Sequence, residues 1–344
     1  MNFASDNAYG AWPEILAAVN DAAAGAASSY GGDEITAKVS ARLCELFERE
    51  VAVFPVISGT AANALALATL TPPHGAIFCH GESHIAVDEC GAPEFFTHGA
   101  KLIALEGKDG KIAPDTIERA LGHFLKGFVH HVQPAAVSIT QSTELGTVYA
   151  PTEVAAISAL ARRHGMKLHM DGARFANALA HLGCTPAEAT WRAGVDVLSF
   201  GASKNGALAA EAVIFFDPAE ARDFEYRRKK SGHLISKMRF VSAQLDAYLT
   251  DTRWLDHAGR ANALALKLAD GLRAVAGAKI AHPVEANAVF VSLPDSVTAL
   301  LRAKGAVFYD WGPPSGGRTL VRLVTSFATP DEDVEKFLKI ANSE

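Results

Sequence analysis

The sequence predicts an α/β protein: a mostly parallel sheet with helices on both faces, followed by a smaller α/β unit. Three observations predict it. Strand-like and helix-like runs alternate between residues 51 and 216, the pattern of strand–crossover–strand units. From about residue 240 the character changes, with a long helical run followed by a second, shorter alternation. The chain has 344 residues, 49% hydrophobic and 20% charged, enough for roughly two domains at about 150 residues each and enough to bury a core.

Taken in order, residues 1–15 read as an N-terminal arm, 16–240 as a large domain and 241–344 as a small one, with the boundary near residue 240, give or take a long connecting helix. Residues 22–29 are a loose Ala/Gly/Ser patch leading to Tyr30-Gly31-Gly32-Asp33. Residues 51–57 are a short apolar run with β-branched side chains, and 61–70 form a helix-forming run. Short strands are predicted at 76–79, 101–105 and 136–140, an amphipathic helix at 153–164, and strands at 166–170, 195–200 and 212–216. Residues 227–239 are rich in basic side chains. A long helix over 256–275 opens the second unit, followed by a strand at 288–293, a helix at 296–304, a Pro/Gly turn cluster at 312–317, a strand at 320–325 and a final helix after Pro330.

The composition excludes several classes. With 32 Lys+Arg against 38 Asp+Glu the net charge is −6, which lacks the positive footprint of a nucleic-acid or anionic-membrane binder. Cys44, Cys79, Cys90 and Cys184 are scattered without a CxxC pair, so reduced thiols are expected rather than a disulfide framework or a cysteine zinc site. Residues 1–7 include Asp6 and lack a basic stretch before an apolar one, so no signal peptide is expected and a cytoplasmic location follows. Residues 51–73 carry no charge, but Pro55, Gly59, Asn63 and several hydroxyls favour strand, turn and helix over a membrane span.

Ligands of parallel sheets bind at the carboxyl ends of the strands, which directs attention to three places. Ser58-Gly59-Thr60-Ala61-Ala62-Asn63 follows a strand and opens a helix; backbone N–H groups there suit a phosphate, and an ordinary Ser or Thr N-cap fits as well. Asp171, in His169-Met170-Asp171-Gly172-Ala173-Arg174, ends a strand and can hold a positively charged ring nitrogen, or cap the next helix and pair with Arg174. Lys204, in Ala202-Ser203-Lys204-Asn205-Gly206, stands at a strand end, where a neutral amine can condense with a carbonyl cofactor, although surface loop lysines are common. In this order, with the lysine 33 residues after the acid (204 − 171), the three form the set that pyridoxal 5'-phosphate (PLP) requires. His80 and His84 are four apart, but the intervening Gly-Glu-Ser does not suggest a helix turning both rings to one zinc; no catalytic metal is expected.

Phe3-Ala4-Ser5-Asp6-Asn7, Tyr30-Gly31-Gly32-Asp33, residues 58–63, Ser83-His84, Asp171-Gly172-Ala173-Arg174 and Ser203-Lys204 resemble the low-specificity L-threonine aldolase family, of the aspartate-aminotransferase-like (fold type I) PLP enzymes. The run 88–96 and Lys237-Met238-Arg239-Phe240 resemble the bacterial branch that also cleaves phenylserine-type substrates. The resemblance implies a seven-stranded, mostly parallel sheet in the large domain. It implies that Lys204 binds the cofactor covalently, that Asp171 keeps the pyridine nitrogen protonated, and that Arg174 lies beside the phenolic oxygen. It further implies that Ser58, Gly59 and Thr60 cup the phosphate and that His84 stacks on the ring. Ser5 and Arg322 match groups that bind the substrate carboxylate, with Arg318 a nearby alternative. His130, or the adjacent His131, matches a histidine contacting the substrate hydroxyl. Tyr30 and the basic residues 227–230 match positions where a neighbouring subunit completes the site, implying a dimer of dimers with shared active sites; a solvated helix face fits the basic run equally.

One run departs from the family pattern. Where many members carry a Glu-Asn-Thr-His-Asn-like stretch, this chain reads Thr140-Gln141-Ser142-Thr143-Glu144, which bears on stereoselectivity at the β-carbon. The expected reaction is retro-aldol cleavage of L-threonine, L-allo-threonine and related β-hydroxy-α-amino acids to glycine and an aldehyde, with His84, His130 or water as base. Phenylserine cleavage, another fold type I lyase or transaminase, and a non-catalytic binding protein are the alternatives.

Overall fold

The computed structural model describes residues 1–343. Among the described residues, eleven strands divide between two sheets. The larger contains β1 (Ala52–Val56), β2 (Gly75–His80), β3 (Lys101–Leu105), β4 (Gln133–Thr140), β5 (Lys167–Gly172), β6 (Val197–Gly201) and β7 (Glu211–Phe215), in the order β1-β7-β6-β5-β4-β2-β3. All pairings are parallel except those of β7, which runs against both β1 and β6. The sheet is therefore seven-stranded and mostly parallel. Every residue of β2, β6 and β7 is buried, as expected for strands covered by helices on both faces.

Helices α1 (Pro13–Asp21) and α2 (Glu34–Leu46), which the alternation did not single out, cover one side through Ile15, Val39 and Leu43. Asp33 accepts a hydrogen bond from the Thr36 N–H at 2.9 Å and caps α2. Helix α3 (Gly59–Leu70) is Ala- and Leu-rich and buried throughout residues 61–68. A helix apolar on every side belongs inside the protein, and α3 lies against β6, β7 and β5 with its N-terminus at the carboxyl edge of the sheet.

The second sheet is fully antiparallel, in the order β10-β11-β9-β8, from β8 (Lys279–Ile280), β9 (Ala288–Pro294), β10 (Tyr309–Asp310) and β11 (Arg318–Val324). Its core of Val289, Val291, Leu293, Val321 and Leu323 packs against the C-terminal helix and the long helix Arg253–Leu272. That helix serves both cores: Trp254 and Ala258 sit in the main one, Leu264–Leu272 in the second. Val241 and Leu245 also pack in the main core, so the two cores are joined through the long helix. The N-terminal arm runs back across the small sheet. Phe3 N–H donates to the Val307 carbonyl, Val324 N–H donates to the Phe3 carbonyl (both 2.8 Å), and the Phe3 ring is fully buried in the second core.

Candidate active site

Because β1, β2, β4, β5 and β6 point the same way, their carboxyl ends share one edge. There Val56 and Gly201 both pair with Glu211, while Thr140 pairs with Asp171. The reversed strand β7 thus brings its first residue to the edge where its neighbours end. A cavity of about 340 Å³ opens at this edge, lined by Ser58, Gly59, Thr60, His84, Asp171, Arg174 and Lys204 among others. Seven sequence-predicted residues from four separate stretches therefore meet in one place.

Ser58, Gly59 and Thr60 stand where β1 gives way to α3. The Ser58 hydroxyl accepts from the Ala61 N–H at 3.3 Å, so it caps the helix while lining the cavity. A Cβ on Gly59 would meet no atom within 4 Å, which is open space for an anion against the helix N-terminus. Lys204 rides a single 3-10 turn, Ser203–Asn205, directly after β6.

Asp171 lies at the end of β5. Its Oδ2 accepts from Asn63 Nδ2 at 2.8 Å and its Oδ1 from the Ala173 N–H at 2.9 Å. Two residues earlier on β5, His169 is fully buried, with its ring nitrogens 2.8 Å from the Ser138 hydroxyl and 3.0 Å from the Ser199 hydroxyl. Burial pushes this imidazole down to about 4, so a neutral ring braces the middle of the sheet behind Asp171.

His84 opens a short helical turn after β2. Its Nδ1 is 2.9 Å from Glu89 Oε1, and its backbone N–H donates to Glu144 Oε1 at 2.8 Å. The Glu89 hydrogen bond, opposed by burial and aided by the Asp171 charge, raises His84 above the ordinary histidine value. Burial, with the Asp171 charge adding, pushes Glu144 up to about 7. A carboxyl raised on folding keeps its proton where the unfolded chain gives it up, so its contribution to stability declines as pH rises from about 4.5 to 7. Glu144→Gln keeps an oxygen to accept from His84 and Thr140. The variant is expected to lose less stability than the wild type between pH 5 and 8, read as the urea midpoint at each pH; parallel curves would contradict the assignment.

Arg174 is only partly free for a ligand. Its Nε and Nη2 donate to Asp6 Oδ2 and Oδ1 at 2.7 and 2.9 Å, and Asn287 Nδ2 donates to the same carboxylate at 3.0 Å. Burial pushes Asp6 up, but the Arg174 charge and hydrogen bonds outweigh it and hold Asp6 below its ordinary value. Ser5 accepts from the Asn7 N–H at 3.1 Å. Beyond the arm, Arg322 projects from β11, its Nη2 3.4 Å from the Ala4 carbonyl, its guanidinium 4.9 Å from the Trp311 ring and its buried Nε without a partner. Arg318, the alternative, is instead engaged by Ser292 and the Gly277 carbonyl.

Two expected positions lie elsewhere. Within one chain His130 lies outside the cavity. It sits in an exposed turn before β4, its ring 4.9 Å from Phe128, at the opposite edge of the sheet. The eight residues of β4 separate it from the cavity by roughly 25 Å at about 3.3 Å per residue. His131 is on the same turn, its Nδ1 accepting from the Leu125 N–H at 3.1 Å. Tyr30 is outside this chain's cavity, half exposed, with Lys229 Nζ 4.4 Å from its ring centroid. Arg228, in the same basic run, is buried against Glu225 and the Pro55 carbonyl. Of the zinc-like pair, His80 is engaged by the Glu82 N–H and the Gly107 carbonyl.

Asp6, Asn63, Glu89, Glu144 and Glu211 were assigned no role by sequence reasoning, although the first four lie inside runs it quoted. Glu211 is buried and accepts from the Ala202 N–H at 3.3 Å. Burial pushes it up to about 7. The signal that could have found it is an acid at the start of an otherwise apolar strand.

The model of the beta-eliminating lyase family matches residues 2–296. The chain belongs to that family. It is 45% identical over 318 residues to the low-specificity L-threonine aldolase of Pseudomonas sp. (strain NCIMB 10558), covering 92% of this chain and 91% of that protein. It is 44% identical over 341 residues to the enzyme of that name from Pseudomonas aeruginosa, covering 99% and 96%. The solved structure of Leishmania major threonine aldolase superposes with a TM-score of 0.93 at 30% identity, covering 99% of this chain and 98% of that one. These likenesses place the chain among the low-specificity L-threonine aldolases of the family. Sphingomonas wittichii serine palmitoyltransferase, at 18% identity and a TM-score of 0.72 over 100% of this chain and 86% of that one, shares the fold.

Proposed function

We propose that this chain is a PLP-dependent carbon–carbon lyase that cleaves L-threonine, L-allo-threonine and related β-hydroxy-α-amino acids to glycine and an aldehyde. The observation that carries the reading is the meeting of Ser58–Thr60, Asp171 and Lys204 around one 340 Å³ cavity, in a chain 45% identical to an L-threonine aldolase.

The residues fit PLP. The start of the twelve-residue helix α3 is open above Gly59 and would take the phosphate. Asp171 would face the ring nitrogen, Lys204 would hold the carbonyl carbon, and the Ser142 hydroxyl and Glu144 Oε2, buried at the cavity without partners, are left for a polar ligand. When bound, PLP supplies an electron sink for the pair released as the Cα–Cβ bond breaks.

The chain's own groups do the rest. Ser5 and the Arg322 guanidinium would grip the substrate carboxylate, fixing the Cα–Cβ bond in one orientation and removing entropy from the barrier. His84, lining the cavity and held through Nδ1, would receive the β-hydroxyl proton at Nε2.

The protein would act as a homo-oligomer, a dimer of dimers with shared active sites. This is supported by the exposed Tyr30–Lys229 pair outside the chain's own cavity and by the exposed Phe95 and Tyr226 side chains. Among the described residues no helix is long and apolar enough to cross a membrane, and the four cysteines are unpaired, which supports a cytoplasmic location.

The test is a panel of L-threonine, L-allo-threonine and the L-threo and L-erythro phenylserines, scored for glycine. Glycine with the matching aldehyde is expected; pyruvate-type products without glycine would replace the reading with β-elimination.

A further inference from the structure

We propose that Asn63 and Glu89 are positioning residues of this site: they join His84 and Asp171 into one hydrogen-bonded unit that fixes the histidine with its proton on Nδ1 and leaves Nε2 free to take a proton from the substrate. The inference rests on the lyase reading above and deepens it.

Four groups from four stretches of chain form the unit. The Asn63 amide nitrogen lies 2.8 Å from Asp171 Oδ2 and 2.9 Å from Glu89 Oε1. Both neighbours are carboxylate oxygens, which only accept, so the nitrogen end of the amide must face them and its two hydrogens are divided between them. The same Glu89 oxygen lies 2.9 Å from His84 Nδ1. An acceptor there requires the imidazole proton on Nδ1, the arrangement by which a carboxylate sets the tautomer of a catalytic histidine. Nε2 has no partner among the described residues, and the ring lines the cavity.

Burial gives the unit its rigidity. Asn63, Glu89 and Asp171 are 2%, 4% and 3% exposed; Asn63 Oδ1 and Glu89 Oε2 are buried without partners, and the bonds that are made, through Asn63 Nδ2 and Glu89 Oε1, set the direction of each side chain. Asn63 also separates two acids that would otherwise face one another across the width of an amide; its N–H groups offset their repulsion and hold each in a set direction. The charged groups facing His84 are Glu89, Asp171 and Lys204, with Glu144 on its backbone N–H. The first two favour its cation and Lys204 opposes it. Glu89 is in direct contact with the ring, so its loss has the largest effect.

The test follows the pH dependence of His84 carbethoxylation by diethyl pyrocarbonate, which attacks the neutral ring, in the full-length protein freed of PLP, with the His84 peptide quantified by mass spectrometry. Glu89→Gln is expected to lower the midpoint by about one pH unit and to lower kcat with little change in KM, the acid limb of the kcat profile moving with the midpoint. Asn63→Ser is expected to shift the midpoint in the same direction and to raise the PLP dissociation constant at least ~5-fold, since Asp171 loses a donor. An unshifted midpoint in a folded Glu89→Gln protein overturns the proposal. If that variant does not fold, Asn63→Ser decides by the same two readings. The midpoint needs no substrate: a shifted midpoint with no glycine from the panel sinks the lyase reading, and glycine release with an unshifted midpoint sinks the relay.

Discussion

Replacing Lys204 with alanine is expected to cut glycine release by roughly 10³-fold or more and to abolish the visible absorption of lysine-bound cofactor, while leaving the fold intact. Lys204 lines the cavity and its charge favours the buried Asp6 and Glu211 carboxylates, but it makes no hydrogen bond or ion pair among the described residues, so its removal breaks no direct contact. Its position is fixed by the backbone instead. A Cβ on Gly201 would come within 2.8 Å of the Ala173 main chain, and Gly206 has a φ of +114° with the Trp12 ring where its Cβ would be. These two glycines let the turn between them pack against the floor of the cavity, which holds the amine over the carboxyl ends of β5 and β6. Absorption spectra, glycine assays and thermal melts on Lys204→Ala and Lys204→Arg check this. Turnover within tenfold of the wild type would refute the role given to Lys204.

Arg174→Ala is expected to destabilise the protein by ~3–5 kcal/mol, the cost of leaving one member of a buried pair without its partner. The Asp6 side chain is 1% exposed, and only Asn287 would remain to hydrogen-bond it. The pH dependence has a definite sign. Asp6 is held below its ordinary value of 3.8, so the pair's stabilisation is fully present above about pH 4 and is lost as pH falls through the lower value it has in the folded protein. The gap between wild type and variant should therefore narrow in acid. Urea midpoints at pH 7 and in steps from pH 4 down to pH 2 measure it; a gap constant over that range would show that lost packing, not charge, carries the effect. The double variant Asp6→Asn/Arg174→Leu should cost less than Arg174→Ala, because no charge is then stranded.

Much of this architecture was legible in the sequence because it rests on local signals. The apolar runs ending at residues 57, 140, 170 and 200 are strands that a parallel sheet must bury, and the residues just beyond them are where a ligand edge must lie. Ser58, Asp171 and Lys204 could be singled out for that reason. Asp6, Asn63 and Glu144 could not, since each acts through a partner 26 or more positions away in sequence: Asp6 on Arg174, Asn63 on Glu89 and Asp171, and Glu144 on His84. Periodicity carries no information about such pairings. His130 was placed by resemblance alone; in this chain the length of β4 stands between it and the cavity. The order β1-β7-β6 and the reversal of β7 were likewise out of reach, because strand direction is decided by the connections and not by the composition of the run.

The arm described above ties recognition to alignment. Within five consecutive residues, Phe3 is locked into the small sheet, the Ala4 carbonyl meets Arg322, the Ser5 hydroxyl accepts from the Asn7 N–H, Asp6 clamps Arg174 and Asn7 reaches the cavity wall. On the proposed reading, in which Arg322 takes the substrate carboxylate and Arg174 lies beside the cofactor, the arm is a short lever between the two groups, and a molecule lacking the carboxylate would engage neither end of it.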